Sequence, residues 1–451
     1  MPVNITIFDK NPFIGGRSTT VHAHNDSNLP IELGASIFVE INHVLVDAVK
    51  AFNLSADAFI ATDATIPGPA LAIWDGSSFV FTEDREGGWW DTAKLFYRYG
   101  LAPYRTLNLM KSTVAKFLRM YEEPIFPFSS LSQAAQDVGL TAVTASTGEQ
   151  FLRENNIGNL FAREIIQAST RVNYAQNLPY IHGLEAMVCM ASNGAMSVEG
   201  GNWQIFDGMV SASRAKTLLE TRVTGISKQK NGGYSISHRN LESSTQSADT
   251  FDEVILAAPY QFADLSLPTS TSRPDEIPYV HLHVTLFTSP HLLSPTFFNL
   301  ADNKAAPHTV ITTLPNEEHP PQGPAGAGSP GFFSISLLRA LTNPATGGQE
   351  YAYKIFSPAP ASTTFLSAIL GVEPDDDGEM NKKDVTWMYR KVWNSYPYEL
   401  PRVTFESLKL DEGLWYTSGI ESFISTMETS ALMGKNVARL VVDGWIGGDK
   451  L

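Results

Sequence analysis

At 451 residues and 43% hydrophobic content, the chain is long enough to bury a large core divided over two domains. Its formal charge of −15 argues against a nucleic-acid footprint or a polybasic membrane anchor. A lone cysteine, Cys189, rules out an internal disulfide framework and any multi-cysteine metal site; within Met187-Val-Cys-Met190 it reads as a buried, inert thiol.

The first element is Asn4-Ile-Thr-Ile-Phe-Asp9, an apolar strand ending in a carboxylate, followed by a turn into Gly15-Gly16-Arg17. A dinucleotide-binding sheet grips a ribose and then turns its backbone toward a pyrophosphate in this way. Such a unit carries strand, Gly-x-Gly-x-x-Gly and helix about 20 residues before the acidic residue. Asp9 stands too early for that, so the expectation is a truncated chain lacking the first strand and its phosphate loop. No secretory leader is read at the start. Asn4, Asn25 and Asn53 open Asn-x-Ser/Thr triplets: Asn4 is expected within a buried strand, and the other two in loops open to glycosylation if the protein is secreted.

Val21 to Asn28 reads as a hairpin-like turn, followed by Ile31-Glu32-Leu33-Gly34-Ala35-Ser36. Ile41, Val44, Leu45, Ala48, Val49 and Phe52 repeat at helical spacing. Residues 60–90 read as strand-rich, with a hairpin through Asp75-Gly76. Leu107, Met110, Val114, Phe117, Leu118 and Tyr121 trace a helix ending before Pro124, and residues 129–190 continue as a helical cap. A helix enters at Gly200-Gly201-Asn202-Trp203, and two strands flank Asn231-Gly-Gly. Phe251 to Ala258-Pro259 is a buried strand ending in small residues. Residues 263–400 are Pro-rich and strand-like, and a final helix runs from about Phe423 to Val442. No run of about 18 uncharged apolar residues occurs, so no spanning helix is expected. Gly326-Ala-Gly328-Ser-Pro-Gly331 spells a phosphate-loop pattern, but no strand precedes it and Pro330 interrupts it, so it reads as a flexible loop.

Taken together, the acidic-ended strand, Gly-Gly-Arg, Glu32 to Ser36, Thr221-Arg-Val223, Ala257-Ala258-Pro259 and Gly419-Ile420-Glu421 resemble the amine-oxidase-like flavoproteins. Arg171-Val-Asn-Tyr174-Ala-Gln176, Glu350 to Ser357, Tyr396-Pro397 and Tyr416-Thr-Ser-Gly419 narrow the resemblance to the prenylcysteine oxidase (prenylcysteine lyase) family. The resemblance implies an α/β fold: a Rossmann-like FAD-binding domain over 1–60, 195–262 and 405–451, with an inserted α+β substrate domain over 61–194 and 263–404.

It further implies that Asp9 binds the adenosine ribose, and that Gly15 and Gly16 allow the diphosphate close, with Arg17 adding charge beside it. Glu32, Gly34, Ala35 and Ser36 are placed beside the isoalloxazine, and Val223 pairs the adenine edge through its backbone. Ala258 and Pro259 leave room for the cofactor. Gly419, Ile420 and Glu421 open a helix whose N-terminus faces the flavin N1–C2 edge. Tyr174, His182 and Tyr416 are the implied catalytic candidates. The implied reaction oxidises the thioether of S-prenyl-cysteine with O2, in the lysosome or vacuole or along the secretory pathway. Another lipophilic-substrate flavin oxidase and a non-catalytic descendant stay open. Without the resemblance, Asp9 has a second reading as a solvated turn residue, Glu32 reads equally as a surface glutamate, and the three catalytic candidates read as packed core.

Overall fold

The computed structural model describes residues 3–58, 65–83, 89–230, 232–269, 271–375 and 377–448. The expected boundary at 60/61, Asn231 of the Gly-Gly turn and the last residues of the 405–451 segment fall outside them.

Apolar alternation builds the largest sheet. Seven strands lie in the order Trp387–Pro397, Tyr279–Ser289, Gln349–Ser357, Ser334–Thr342, Thr309–Thr312, Leu71–Trp74, Phe79–Glu83. All neighbours are antiparallel except Thr309–Thr312 beside Leu71–Trp74. Side chains two apart share a face. Leu282, Val284, Leu286 and Ala352 therefore meet Ile31 and Leu33 on one side, while Phe287, Tyr353 and Ile355 meet Phe298, Leu366 and Ile369 on the other. Helix Thr363–Leu370 closes that second face, capped by the Ser362 hydroxyl. The Asp75-Gly76 hairpin forms as read, because Asp75 Oδ1 accepts from the Ser77 and Ser78 N–H groups and holds the turn.

The nucleotide-type sheet is present as two parallel pairs: Thr6–Phe8 with Lys216–Leu218, and Val254–Leu256 with Leu414–Tyr416. Among the described residues no strand joins them, and Val3, Ile5 and Ile255 are exposed. Asn4 is accordingly exposed and precedes the strand, not buried within it. Asn25 and Asn53 are exposed, as read. The hairpin Thr221–Lys228/Tyr234–Asn240 gains a third strand, Gln246–Phe251, whose polar, solvated residues carry no apolar period.

Helices between Ala102 and Cys189 pack with the final helix, Met427–Gly448, around Leu152, Ile166, Leu184, Met187, Leu432 and Val437. That final helix begins later than expected. Ser418–Ser422 is a separate short 3-10 turn, so Gly419, Ile420 and Glu421 are not the first turn of the long helix. The new start is anchored by Glu428, whose buried carboxylate accepts from the Val44 and Leu45 N–H groups (2.9 and 3.0 Å) and from the Tyr121 hydroxyl (2.7 Å). It thereby caps helix His43–Ala51, whose own flanking Asn42 makes no side-chain cap. The Gly326 loop is packed, not flexible: Gly326 and Ala327 are buried, and their carbonyls accept from fully buried Arg171 at 2.7 Å each. No described helix is long and apolar enough to cross a membrane.

Candidate active site

The strand Thr6–Phe8 ends at Asp9, where the Asn11 N–H donates to Oδ1 (2.8 Å) and pins the carboxylate in a turn. The chain then bends at Gly15 and Gly16, with φ of +117° and +59°, and the Ser18 N–H closes the bend on the Gly15 carbonyl (3.0 Å). A Cβ at Gly15 would lie 2.3 Å from the Ser18 oxygen, so the bend requires glycine. Arg17 follows. It pairs with Glu421 at 2.7 Å and donates to the Ser395 carbonyl, tying the first turn to the last segment and to the large sheet. Tyr279 adds its hydroxyl to Glu421 (3.2 Å).

These groups border one cavity of about 3390 Å³, open between the two parallel pairs and reaching the helices. Asp9, Gly15, Gly16 and Arg17 line it with Glu32, Gly34, Ala35, Ser36 and Val223. Ala258, Pro259, Tyr174 and Glu421 also line it. Gly419, Ile420, His182 and Tyr416 do not appear in its wall. Ile420 is buried in the helical core, and Tyr416 ends the strand beside Val254–Leu256, in register with Leu256, its hydroxyl pushed up to about 12 by burial. His182 is fully buried and its Nδ1 accepts from the Glu185 N–H (3.1 Å), so it serves as the cap of helix Gly183–Cys189. Burial pulls its pKa to about 3, keeping the ring neutral.

Several side-chain environments here were not legible in the sequence. Glu32 is not a solvated glutamate. Burial pushes its carboxyl to about 7, partly offset by the Asn202 N–H (2.6 Å) and by Lys354. Asn202, fully buried, also donates to the Ala35 carbonyl (2.8 Å) and fastens the Gly200-Gly201 turn to the Glu32–Ser36 segment. Lys354 projects from the large sheet, donating to Ser36 Oγ (2.8 Å) and the Glu32 carbonyl (3.3 Å); burial lowers its ammonium to about 8. A buried ammonium near a buried carboxyl is a pattern that functional sites share with structural ion pairs.

On the helical side, Tyr174 donates to the Ser425 carbonyl (3.1 Å) and packs edge-on against Tyr396 at 5.1 Å. Behind it, the Glu185 and Glu399 carboxyl groups are fully buried, Glu185 with the Tyr174 hydroxyl beside it and Glu399 with His182 Nε2 at 3.5 Å. Burial raises Glu185 to about 8, and Glu399 is raised by burial and then by Glu185. Cys189 is buried as read, and burial pushes its thiol well up, so it stays protonated. Val114, Phe117, Leu118, Val172 and Ile424 give this end of the cavity an apolar wall. One end thus suits a polar dinucleotide, the other an apolar chain. No cluster of metal ligands occurs among the described residues.

The chain is 29% identical to farnesylcysteine lyase of Arabidopsis thaliana over 469 aligned residues, covering 99% of this chain and 83% of that protein. It is 25% identical to prenylcysteine oxidase 1 of Homo sapiens, covering 99% and 85%. The fold is shared with cyclohexylamine oxidase from Brevibacterium oxydans IH-35A at a TM-score of 0.57 and 14% identity, over 97% of this chain and 93% of the other. The prenylcysteine lyase family model matches residues 82–450, and the chain belongs to that family.

Proposed function

We propose that the chain is an FAD-dependent oxidase that cleaves the thioether of S-prenyl-L-cysteine to cysteine, a prenyl aldehyde and hydrogen peroxide. The carrying observation is the single cavity that joins Asp9 and the Gly15-Gly16 bend to Glu421 and to an apolar helical wall. The family and the names of the relatives support the substrate class.

The residues fit the cofactor. Asp9 keeps its second oxygen for ribose hydroxyls, and at Gly16 the place a Cβ would take is open space that leaves room for a diphosphate. Val223, Glu32 to Ser36 and Lys354 line the cavity; Val223 would pair the adenine edge through its backbone, and Glu32 to Ser36 with Lys354 would lie beside the flavin ring. When bound, the flavin supplies a two-electron acceptor for hydride from the carbon next to sulfur, and O2 takes the electrons as hydrogen peroxide. The protein's part is alignment and control of water and protons. Val114, Phe117, Leu118 and Ile424 hold the prenyl chain and exclude water along its length. Water must still add at the oxidised carbon. It loses a proton there, and the departing sulfur gains one as the carbon–sulfur bond breaks. Tyr174 at the cavity wall, backed by the protonated Glu185 carboxyl, is placed to pass that proton.

We propose a lysosomal, vacuolar or secretory location for the protein, a reading that exposed Asn25 and Asn53, available to glycosylation, support. A glycosidase-sensitive mobility shift of the native protein tests this. The function is tested by the flavin band near about 450 nm in purified protein and by peroxide release with farnesylcysteine against primary amines. Release with amines alone, or no flavin at all, overturns it.

A further inference from the structure

Residues 92–121 stand apart from the rest of this acidic chain. They carry Lys94, Arg98, Arg105, Lys111, Lys116 and Arg119 and no carboxylate, although the whole chain bears a formal charge of −15. The segment spans two helices, Trp89–Tyr99 and Ala102–Leu118, joined at Gly100, whose N–H closes on the Phe96 carbonyl (2.9 Å). Around the joint, large apolar side chains face water: Phe96 (42% exposed), Tyr97 (95%), Leu101 (57%), Tyr104 (57%) and Leu107 (38%). Leu101, Tyr104 and Leu107 are three apart and share one helical face. The same helix turns Met110, Thr113 and Phe117 inward, and Val114, Phe117 and Leu118 line the cavity.

The cations surround this apolar ridge. Lys94, Arg98, Arg105, Lys111 and Arg119 are exposed. Arg98 is paired with Glu164 (2.6 Å), whereas Arg105 donates to the neutral Asn156 carbonyl (2.9 Å) and keeps its charge. A solvated tyrosine and leucine cluster gains nothing from its exposure in water, and aromatic residues flanked by Lys and Arg suit the headgroup layer of a bilayer. Charge complementarity selects an anionic surface.

We propose that this helical hairpin is a docking face for an anionic lipid surface, with Tyr97, Leu101, Tyr104 and Leu107 entering the headgroup layer and Arg105, Lys111 and Arg119 meeting its negative charges. The whole-chain charge that argues against a membrane anchor averages this segment away. The face adjoins the apolar wall of the cavity, so a lipophilic substrate has a short path from a bilayer; that consequence rests on the thioether-oxidase reading, and the docking itself does not.

The test is co-sedimentation of the full chain, without substrate, with vesicles of phosphatidylcholine alone or mixed with roughly one third phosphatidylserine. Binding to the mixed vesicles, little to the neutral ones, and release at about 0.5 M salt is expected. Lys111→Gln should weaken partition about fivefold, and Leu101→Ser with Tyr97→Ser about tenfold or more, with thermal unfolding unchanged because these side chains are exposed. No binding by the native chain, or equal binding by the variants, overturns the proposal. So does a native dimer that Leu101→Ser dissociates, which would assign the face to a second copy. Vesicle binding is read independently of peroxide release, so failure of one leaves the other standing.

Discussion

Replacing Gly15 with alanine tests whether the first bend shapes the cofactor site. Gly15 sits at φ +117°, and its Cβ would lie 2.3 Å from the Ser18 carbonyl oxygen and 3.0 Å from Trp203 Cβ. The obstruction is backbone, so it cannot swing aside, and the bend must open. Holding a non-glycine residue in such a region costs about 1–3 kcal/mol before the contact is counted. The fraction of molecules with the closed bend then falls about 5- to 150-fold, and the apparent flavin affinity falls with it. Gly16 lies in the same bend at φ +59° with nothing within 4 Å of the place a Cβ would occupy, so alanine there meets no protein atom and costs about 1 kcal/mol of folding stability. The assays are denaturant unfolding of each variant without flavin and titration with FAD, followed by quenching of flavin fluorescence. Retention of native FAD affinity by Gly15→Ala, or a stability loss at Gly16→Ala as large as at Gly15→Ala, refutes the reasoning.

Other consequences follow from the buried polar groups. Arg171→Met strands the Gly326 and Ala327 carbonyls and Asn177 Oδ1, which now accept at 2.7, 2.7 and 2.8 Å. A loss of about 3–5 kcal/mol is expected in denaturant unfolding, and a loss below about 1 kcal/mol contradicts the clamp. Glu428→Ala removes the cap on two N–H groups and the partner of Tyr121, for about 2–4 kcal/mol in the same assay. Glu185 is raised from 4.5 to about 8 by burial. A carboxyl raised on folding stabilises fully below its unfolded value and loses that contribution as pH rises to the folded one. Stability should therefore decline between about pH 4.5 and 8, and Glu185→Gln should flatten that slope. An unchanged slope in thermal melts assigns the decline elsewhere.

The local signals were readable because each is built into adjacent residues. The Asp9 turn, the Asp75-Gly76 hairpin and the amphipathic stripe from Met110 to Tyr121 all formed near their expected places, whereas Leu107, expected on that stripe, faces water. Misreadings arose where neighbours in space, not in sequence, decide. His182 reads as a catalytic candidate until its ring is found capping Gly183–Cys189, and the Gly326 loop reads as flexible until Arg171 reaches it from a distant helix. The start of the last helix moved to Met427 because Glu428 serves two elements at once. Lys354 lay within a motif already singled out, yet its burial beside Ser36 depends on the sheet packing across residues 32–36.

What the sequence determined alone was the kit: a carboxylate after a strand, glycines for a bend, small residues after Leu256, and apolar helical stripes. These are short-range properties, set by backbone freedom and side-chain period. The tertiary structure decided which of them face a common space. Only folding brings Arg17 to Glu421, shifts Glu32 and Lys354 by burial, and leaves Tyr97 in water, since distance, desolvation and exposure belong to the packed molecule.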